Sequence, residues 1–306
     1  MKGKEVRNVA ASYRAKLLNR SRERKEDFQF VLGRWVAERF LYRLGVSKQR
    51  DQFVLKGATL FLIWKGELAR PTRDVDLLGY GKPDIDGVVK TVKEICSLHA
   101  DDGIEFDLDS IRGETIREDA EYDGIRVLVV ATLDRARVTM QIDIGFGDVV
   151  DPAPVETTVP VMLDLPAPLL RTYPPEVVIA EKLEAMVRLG TANSRMKDFF
   201  DIWMLSCEQS FSMARLRRAM IATFERRKTA LPQGVPLALT EAFLKDPEKI
   251  KLWKAFLTRI QLPEDRITLE QVGRALAAFV MPVARPVEAG SGDMEWPAGG
   301  PWRRLQ

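Results

Sequence analysis

From about Ile104 to Val161 the apolar residues recur with period two, while on either side they recur every three or four residues. That change constrains the fold most. A strand puts alternate side chains on opposite faces, whereas a helix gathers every third or fourth on one. EFDLDSI, GIRVLVVATL, ARVTMQIDIGF and ETTVPVML read as strands, with LDRAR as the tight connection inside a hairpin. Upstream, the first 46 residues read as two helices: Leu32, Val36, Phe40 and Leu44 recur at i+4, and Gly45 sits where a C-cap belongs. FVLKGATLFLIWKG reads as a short strand turning through Gly57 into a helix, DVDLLGYG as a strand ending in glycines, and residues 84–99 as an amphipathic helix. Pro152, Pro154, Pro166 and Pro168 mark a loop-rich passage. Helices are then expected over 176–189, 195–208, 212–227, 239–260 and 269–281, the last opened by Thr268 and Gln271 in capping-box spacing. The expected architecture is α+β: an α/β domain with a mixed sheet over 1–170, a helical domain over 171–285, and a loose Gly- and Pro-rich tail over 286–306.

Composition narrows the chemistry. No apolar run approaches the roughly 18 residues of a membrane span, and the basic N-terminus lacks the apolar region of a signal peptide. A cytoplasmic protein with no membrane partner is expected. Cys96 and Cys207 fall within helical apolar patterns and read as buried thiols. His99 continues the stripe of Ile85, Val88, Val92 and Ile95 and reads as a core or helix-end residue; as the only histidine it excludes a two-His metal site and argues against a Ser-His-Asp triad. Chemistry must rest on carboxylates, lysine, arginine or hydroxyls. The net charge is only +3, but basic residues cluster in Arg20, Arg22, Arg24 and Lys25, and again in Arg215, Arg217, Arg218, Arg226, Arg227 and Lys228. These are either solvated helix faces or a polyanion-binding surface.

Asp74 and Asp76 form D-V-D on one strand, so both carboxylates project to one face while Val75 and Leu77 point to the core. Like charges so placed repel unless a cation neutralises them, and paired Asp oxygens suit Mg²⁺, with Mn²⁺ as the substitute. In VTMQIDIGFGD, Val138, Met140, Ile142 and Ile144 share one face, which leaves Asp143 on the other with Thr139 and Gln141. If the two strands are neighbours, three aspartates converge. That arrangement suits metal-assisted phosphoryl or nucleotidyl transfer, with Asp143 as a third metal ligand or as general base. Upstream, Gly57 at a strand-to-helix turn exposes backbone N–H groups to phosphate. Lys56, Ala58 and Thr59 around that turn, and Arg73 ahead of D-V-D, are the accompanying candidates for binding an NTP.

In PEVVIAEKLEAMVRLGTANSRMKDFFDIW, Lys182 lies at the margin of an apolar stripe. Asp198 and Asp201 are i+3 neighbours on the next helix. Lys182 either snorkels beside Glu181 or Glu184, or binds nucleotide phosphates while an aspartate fixes it. Arg195 and Lys197 are further phosphate candidates.

Three stretches, FVLKGATLFLIWKGELARPTRDVDLLGYG, VTMQIDIGFGD and VIAEKLEAMVRLGTANSRMKDFFDIW, resemble the AbiEii/AbiGii family of nucleotidyltransferase toxins, and are similar in turn to the mycobacterial nucleotidyltransferase toxins. The resemblance spans roughly residues 28–230. It implies a polymerase-β-like core followed by a helical region, a cognate antitoxin, a role in phage defence, and transfer of nucleotides to the 3′ end of tRNA. Carried over by residue, Gly57, Asp74 and Asp76 match the first motif, Lys182 the family lysine, and Asp198 or Asp201 the later acidic position. Ala58 stands where many members have serine, and fifteen residues separate it from Asp74, against ten in the common motif.

The expected function is therefore Mg²⁺-dependent transfer of an NMP from an NTP to an RNA 3′ hydroxyl, tRNA first. Basic residues of the 212–228 helix would meet the acceptor phosphates. Two alternatives differ in class: nucleotidylation or phosphorylation of a protein hydroxyl, and a non-catalytic module that binds an antitoxin or RNA.

Overall fold

A computed structural model of the chain describes residues 8–66, 72, 74–119, 122–285 and 293–305. The described chain divides into two compact units. One comprises the chain up to Gly147 together with Val155–Thr172, and the other Asp148–Pro154 together with Tyr173 onward.

The first unit opens with α1 (Val9–Arg24) and α2 (Phe28–Val46), each capped by an acceptor side chain, Asn8 and Asp27 respectively. Then come β1 (Phe53–Lys56), the short α3 (Leu60–Lys65), β2 (Val75–Gly79) and α4 (Ile85–Cys96). The long strands β3 (Ile104–Asp119), β4 (Tyr122–Leu133) and β5 (Ala136–Phe146) follow, then β6 (Val155–Thr158) and β7 (Leu169–Thr172). All seven strands join one mixed sheet in the order β3-β4-β5-β2-β1-β7-β6. The hairpin predicted at LDRAR is the β4–β5 connection, where Asp134 adopts a positive φ. Strand β7 was not expected. It follows Pro166 and Pro168 and is only four residues long, too short to display a period.

Alternation within the sheet is as the sequence implied. Val75 and Leu77, Met140, Ile142 and Ile144, and Ile125, Val127 and Val129 are all buried. Helix α2 packs on β5 and β7, and α4 on β3 and β4. Trp35, Val36, Phe40 and Leu44 of α2 complete this core. Two arginines of α2 are buried with it, because Arg39 and Arg43 both donate to the buried carboxylate of Asp102, at 3.0 and 2.6 Å.

The second unit is mainly helical, with α5 (Pro175–Leu189), α6 (Met196–Glu208), β8 (Phe211–Ser212), α7 (Met213–Arg226), α8 (Glu241–Leu244), α9 (Pro247–Arg259) and α10 (Leu269–Ala284). The single helix expected over 239–260 is two. Proline lacks the N–H that a helix interior needs, so the chain restarts at Pro247, where Asp246 caps α9. The capping box at Thr268 and Gln271 is present.

The expected loose tail is corrected where the chain is described. Residues 294–296 form β9 (Met294–Trp296), which pairs with β8, and β10 (Arg303–Arg304) pairs with β9. Trp296 donates to the carbonyl of Ser206 at 2.7 Å, and Trp302 donates to that of Phe279 at 2.8 Å while stacking on its ring. Two amphipathic indoles, each with its N–H satisfied, hold this segment against the helices. Residues 286–292 of the expected tail lie outside the described residues.

Cys96 is buried as expected and Cys207 is exposed. Of the two expected roles for His99, the structure has the helix end: it lies beyond α4 with an exposed side chain beside Asp101, outside the core stripe. No helix of the described residues is long and apolar enough to cross a membrane.

Candidate active site

A row of charged residues crosses the half-buried face of the sheet. Strands β2 and β5 are parallel neighbours with Asp76 opposite Asp143, which is the pairing that convergence of the aspartates requires. On the next strand out, Arg126 of β4 stands opposite Asp143. On the other side, Lys56 of β1 stands opposite Asp76. Glu114 of β3 faces Arg126 at the far end. Because the pleat repeats every two residues and each pair is in register, these side chains share one face. Two like charges directly opposite each other are destabilising, and the row sets a cation on either side of the Asp76–Asp143 pair.

The turn before α3 brings backbone to the same place. Gly57 has a φ of +75°, and a Cβ on it would fall 1.9 Å from Oδ2 of Asp76. Glycine is needed there twice over, for the left-handed conformation and for the close approach. Ala58 is buried, and Thr59 and Asp74 line a cavity of about 40 Å³ with Arg34, Glu38 and Met162. Asp74 itself is exposed at the start of β2 and acts electrostatically on Arg126. Arg73 lies outside the described residues.

Asp143 is engaged. Its Oδ1 accepts from Arg126 Nε at 2.9 Å and its Oδ2 from Arg126 Nη2 at 2.9 Å. Gln141 Nε2 also donates to Oδ2, at 3.0 Å. This bidentate pair holds the Arg126 guanidinium pKa above its ordinary value, chiefly through the hydrogen bond to Asp143. Among the described residues no three carboxylates are grouped to hold a metal ion. The donor chemistry fits a hard divalent cation at Asp76 of β2 and Asp74 just ahead of it, and fits less well at Asp143. Arg126 is the residue that sequence reading missed. Its signal was a lone charge in the apolar run GIRVLVVATL.

The second unit gathers the other expected residues. Lys182 Nζ of α5 lies 2.7 Å from Asp198 Oδ1 and 2.9 Å from Asp201 Oδ2, both on α6 and both fully buried. Arg195 Nε donates to Asp198 Oδ2 at 2.6 Å. Burial works to raise the Asp198 pKa, but the charges of Lys182 and Arg195 and their hydrogen bonds outweigh it, and the net shift is downward. Of the two expected roles for Lys182, snorkelling beside Glu181 or Glu184 gives way to this fixed ion cluster.

The basic helix α7 is largely committed to internal pairs. Arg215 binds Glu176, Arg218 lies 3.4 Å from Asp151, and Arg217 donates to the backbone of Val283 and Arg285. Arg227 contacts Asp148, Glu181 and Glu184, and the charges of these acids raise its pKa against the effect of burial. Arg215, Arg218 and Arg227 thus have acidic partners within the unit, while Arg215 and Arg218 stay half exposed.

The family model for the nucleotidyl transferase AbiEii toxin, of a type IV toxin–antitoxin system, matches residues 39–278. Among solved structures, the chain is similar to JHP933 from Helicobacter pylori at 20% identity, covering 84% of this chain and 92% of that one with a TM-score of 0.44. It is also similar to a candidate nucleotidyltransferase from H. pylori at 19% identity, covering 84% and 95% with a TM-score of 0.44. No curated protein matches.

Proposed function

We propose, from the premise that this chain belongs to the AbiEii nucleotidyl transferase toxin family, that it moves an NMP from an NTP to the 3′ hydroxyl of an RNA, tRNA first. The family makes it a nucleotidyltransferase of a toxin–antitoxin system, and a cognate antitoxin is the partner that follows. The observation that carries the reaction is the placement of Asp76 on β2 opposite Asp143, with Asp74 just ahead of the strand and the Gly57 backbone packed against the Asp76 carboxylate.

In this reaction the acceptor hydroxyl oxygen attacks the α-phosphorus, the bond to the β-phosphate breaks, pyrophosphate leaves, and the hydroxyl proton passes to solvent. Asp74 and Asp76 would hold Mg²⁺, which when bound supplies charge neutralisation at the phosphates and activation of the hydroxyl. The turn at Gly57 fixes Asp76, and Thr59 borders the cavity that Asp74 also lines. Lys182 enters as the family lysine, with Asp198 and Asp201 as the carboxylates that fix it.

Incubating the protein and its Asp76→Ala variant with Mg²⁺, each α-³²P-labelled NTP in turn, total bacterial tRNA and lysate protein tests this. Label in tRNA with the wild type and not with the variant supports the reading. Label on protein instead transfers the acceptor to a protein hydroxyl. Failure of every NTP to label either fraction, with no binding of Mg²⁺ and NTP, leaves a non-catalytic binding module.

A further inference from the structure

The charged row across the sheet contains one cation whose hydrogen bonds are fully accounted for and still leave donors to spare. Arg126 has five N–H donors, and the bonds to Asp143 use one on Nε and one on Nη2. Its remaining donors include both on Nη1. The side chain is 32% exposed, whereas its anchor Asp143 is 15% exposed. The guanidinium is therefore clamped at its back and open at its front, on the face that carries Asp76 and within electrostatic reach of Asp74. A planar fork held in this way has lost its rotamer freedom before any ligand arrives, so an anion that binds it is spared that cost.

The same bonds decide the part Asp143 plays. A carboxylate offers about four lone-pair sites, and Arg126 and Gln141 together occupy three of them. A metal ion at Asp143 would have to displace or share with a bidentate arginine pair, the strongest kind of side-chain hydrogen bonding in proteins. We propose that Arg126, braced by Asp143 and Gln141, is a fixed cation of the transfer site that grips triphosphate oxygens, and that Asp143 positions this arginine instead of ligating metal. The carboxylate set for a divalent cation is then Asp74 and Asp76 alone, and part of the positive charge that a second metal supplies in three-carboxylate sites comes from the arginine. This inference rests on the reading of the chain as a nucleotidyltransferase, and its test is built so that the two can fail separately.

The experiment has two binding arms that need neither acceptor nor turnover. In the first, Mn²⁺ binding to the full-length protein is followed by electron paramagnetic resonance for the wild type, Asp143→Asn and Asp76→Asn. Asp143→Asn should keep Mn²⁺ affinity within about threefold, while Asp76→Asn loses about tenfold or more. In the second, binding of inorganic tripolyphosphate is measured by calorimetry in the presence of a chelator. Arg126→Gln should weaken it about tenfold or more, with Arg126→Lys between the two because a lysine keeps the charge and loses the fork. Asp143→Asn should weaken it in the same direction. A steady-state arm adds that Arg126→Lys raises KM for the NTP more than it lowers kcat. Loss of Mn²⁺ binding in Asp143→Asn equal to that in Asp76→Asn would overturn the proposal. Tighter Mn²⁺ binding in Arg126→Gln would do the same, since it would mean that the arginine had been shielding a metal ligand. Unchanged tripolyphosphate binding in Arg126→Gln also overturns it. Thermal midpoints accompany every variant, and Arg126→Lys carries the test if Asp143→Asn does not fold. A chain that transfers no nucleotide but shows both binding results would sink the reaction and leave the assignment of Arg126 standing.

Discussion

Gly57 and Asp76 occupy space that only a glycine can share: a methyl group on the first would fall 1.9 Å from Oδ2 of the second. Gly57→Ala therefore has two costs. The positive φ disfavours any L side chain by about 1–2 kcal/mol, and the Asp76 carboxylate must move. A displacement of about 1 Å at reacting groups lowers rates on the order of a hundredfold. Nucleotide transfer should fall by about that factor while the thermal midpoint drops only a few degrees. An alanine variant with wild-type kinetics would mean that the carboxylate tolerates the shift and that this turn does not fix it.

Lys182 sits between two fully buried aspartates on α6. Removing one member of a buried ion cluster strands the others, which typically costs about 3–5 kcal/mol. Lys182→Met should lose stability in that range by urea denaturation, less if Arg195 takes over Asp198. The lowered pKa of Asp198 also sets a pH limit. Stability from this cluster is complete above the ordinary carboxylate range and is lost as pH falls through and below it. The Met variant should show a flatter acid limb than the wild type.

Glu38 behaves in the opposite sense. Burial pushes its pKa up to about 7, against the lowering effects of the Met162 N–H bond and of Arg39, Arg34 and Arg20. The native state then keeps a proton that the unfolded chain releases near 4.5. Unfolding sheds that proton between those values, so stability declines as pH rises from about 4.5 to about 7 and is level above. The decline should be roughly 3 kcal/mol. Glu38→Gln should abolish this limb in a series of denaturation curves across the window. A wild-type profile already flat there would show that the side chain stays ionised.

Trp302 stacks on Phe279 and donates to its carbonyl. Trp302→Ala should cost about 2–4 kcal/mol, and limited proteolysis should then cut residues 293–305 much faster than in the wild type. Equal cleavage rates would mean that the segment is anchored elsewhere.

What the sequence disclosed follows from what a period can carry. Alternation assigned Asp74, Asp76 and Asp143 to faces, because a face depends only on a residue's own strand. It did not make β2 and β5 neighbours, since pairing depends on the whole sheet. Arg126 escaped for the same reason. An arginine in an apolar run has no meaning until β4 and β5 are set in register and Asp143 is found opposite. The partners of Arg215, Arg218 and Arg227 lie on other elements, so counting basic residues, which left solvated faces and a polyanion surface both open, could not show these ion pairs. Gly and Pro in the last stretch were read as looseness. The carbonyls that Trp296 and Trp302 reach belong to Ser206 and Phe279, too far along the chain for any local pattern to show. The break before α9 was missed although its signal is local: Asp246-Pro247 is a cap followed by a first-turn proline.

The chain passes from the first unit to the second at Asp148, returns at Val155, and leaves again at Tyr173. No single cut separates two whole parts. A break after Gly147 takes β6 and β7 from the sheet, and a break after Thr172 takes Asp148 from Arg227 and Asp151 from Arg218. A gene for this protein can therefore be exchanged with a relative's at one crossover point only by making a hybrid in one of its units. Such hybrids must find matching partners at these ion pairs or along these strands.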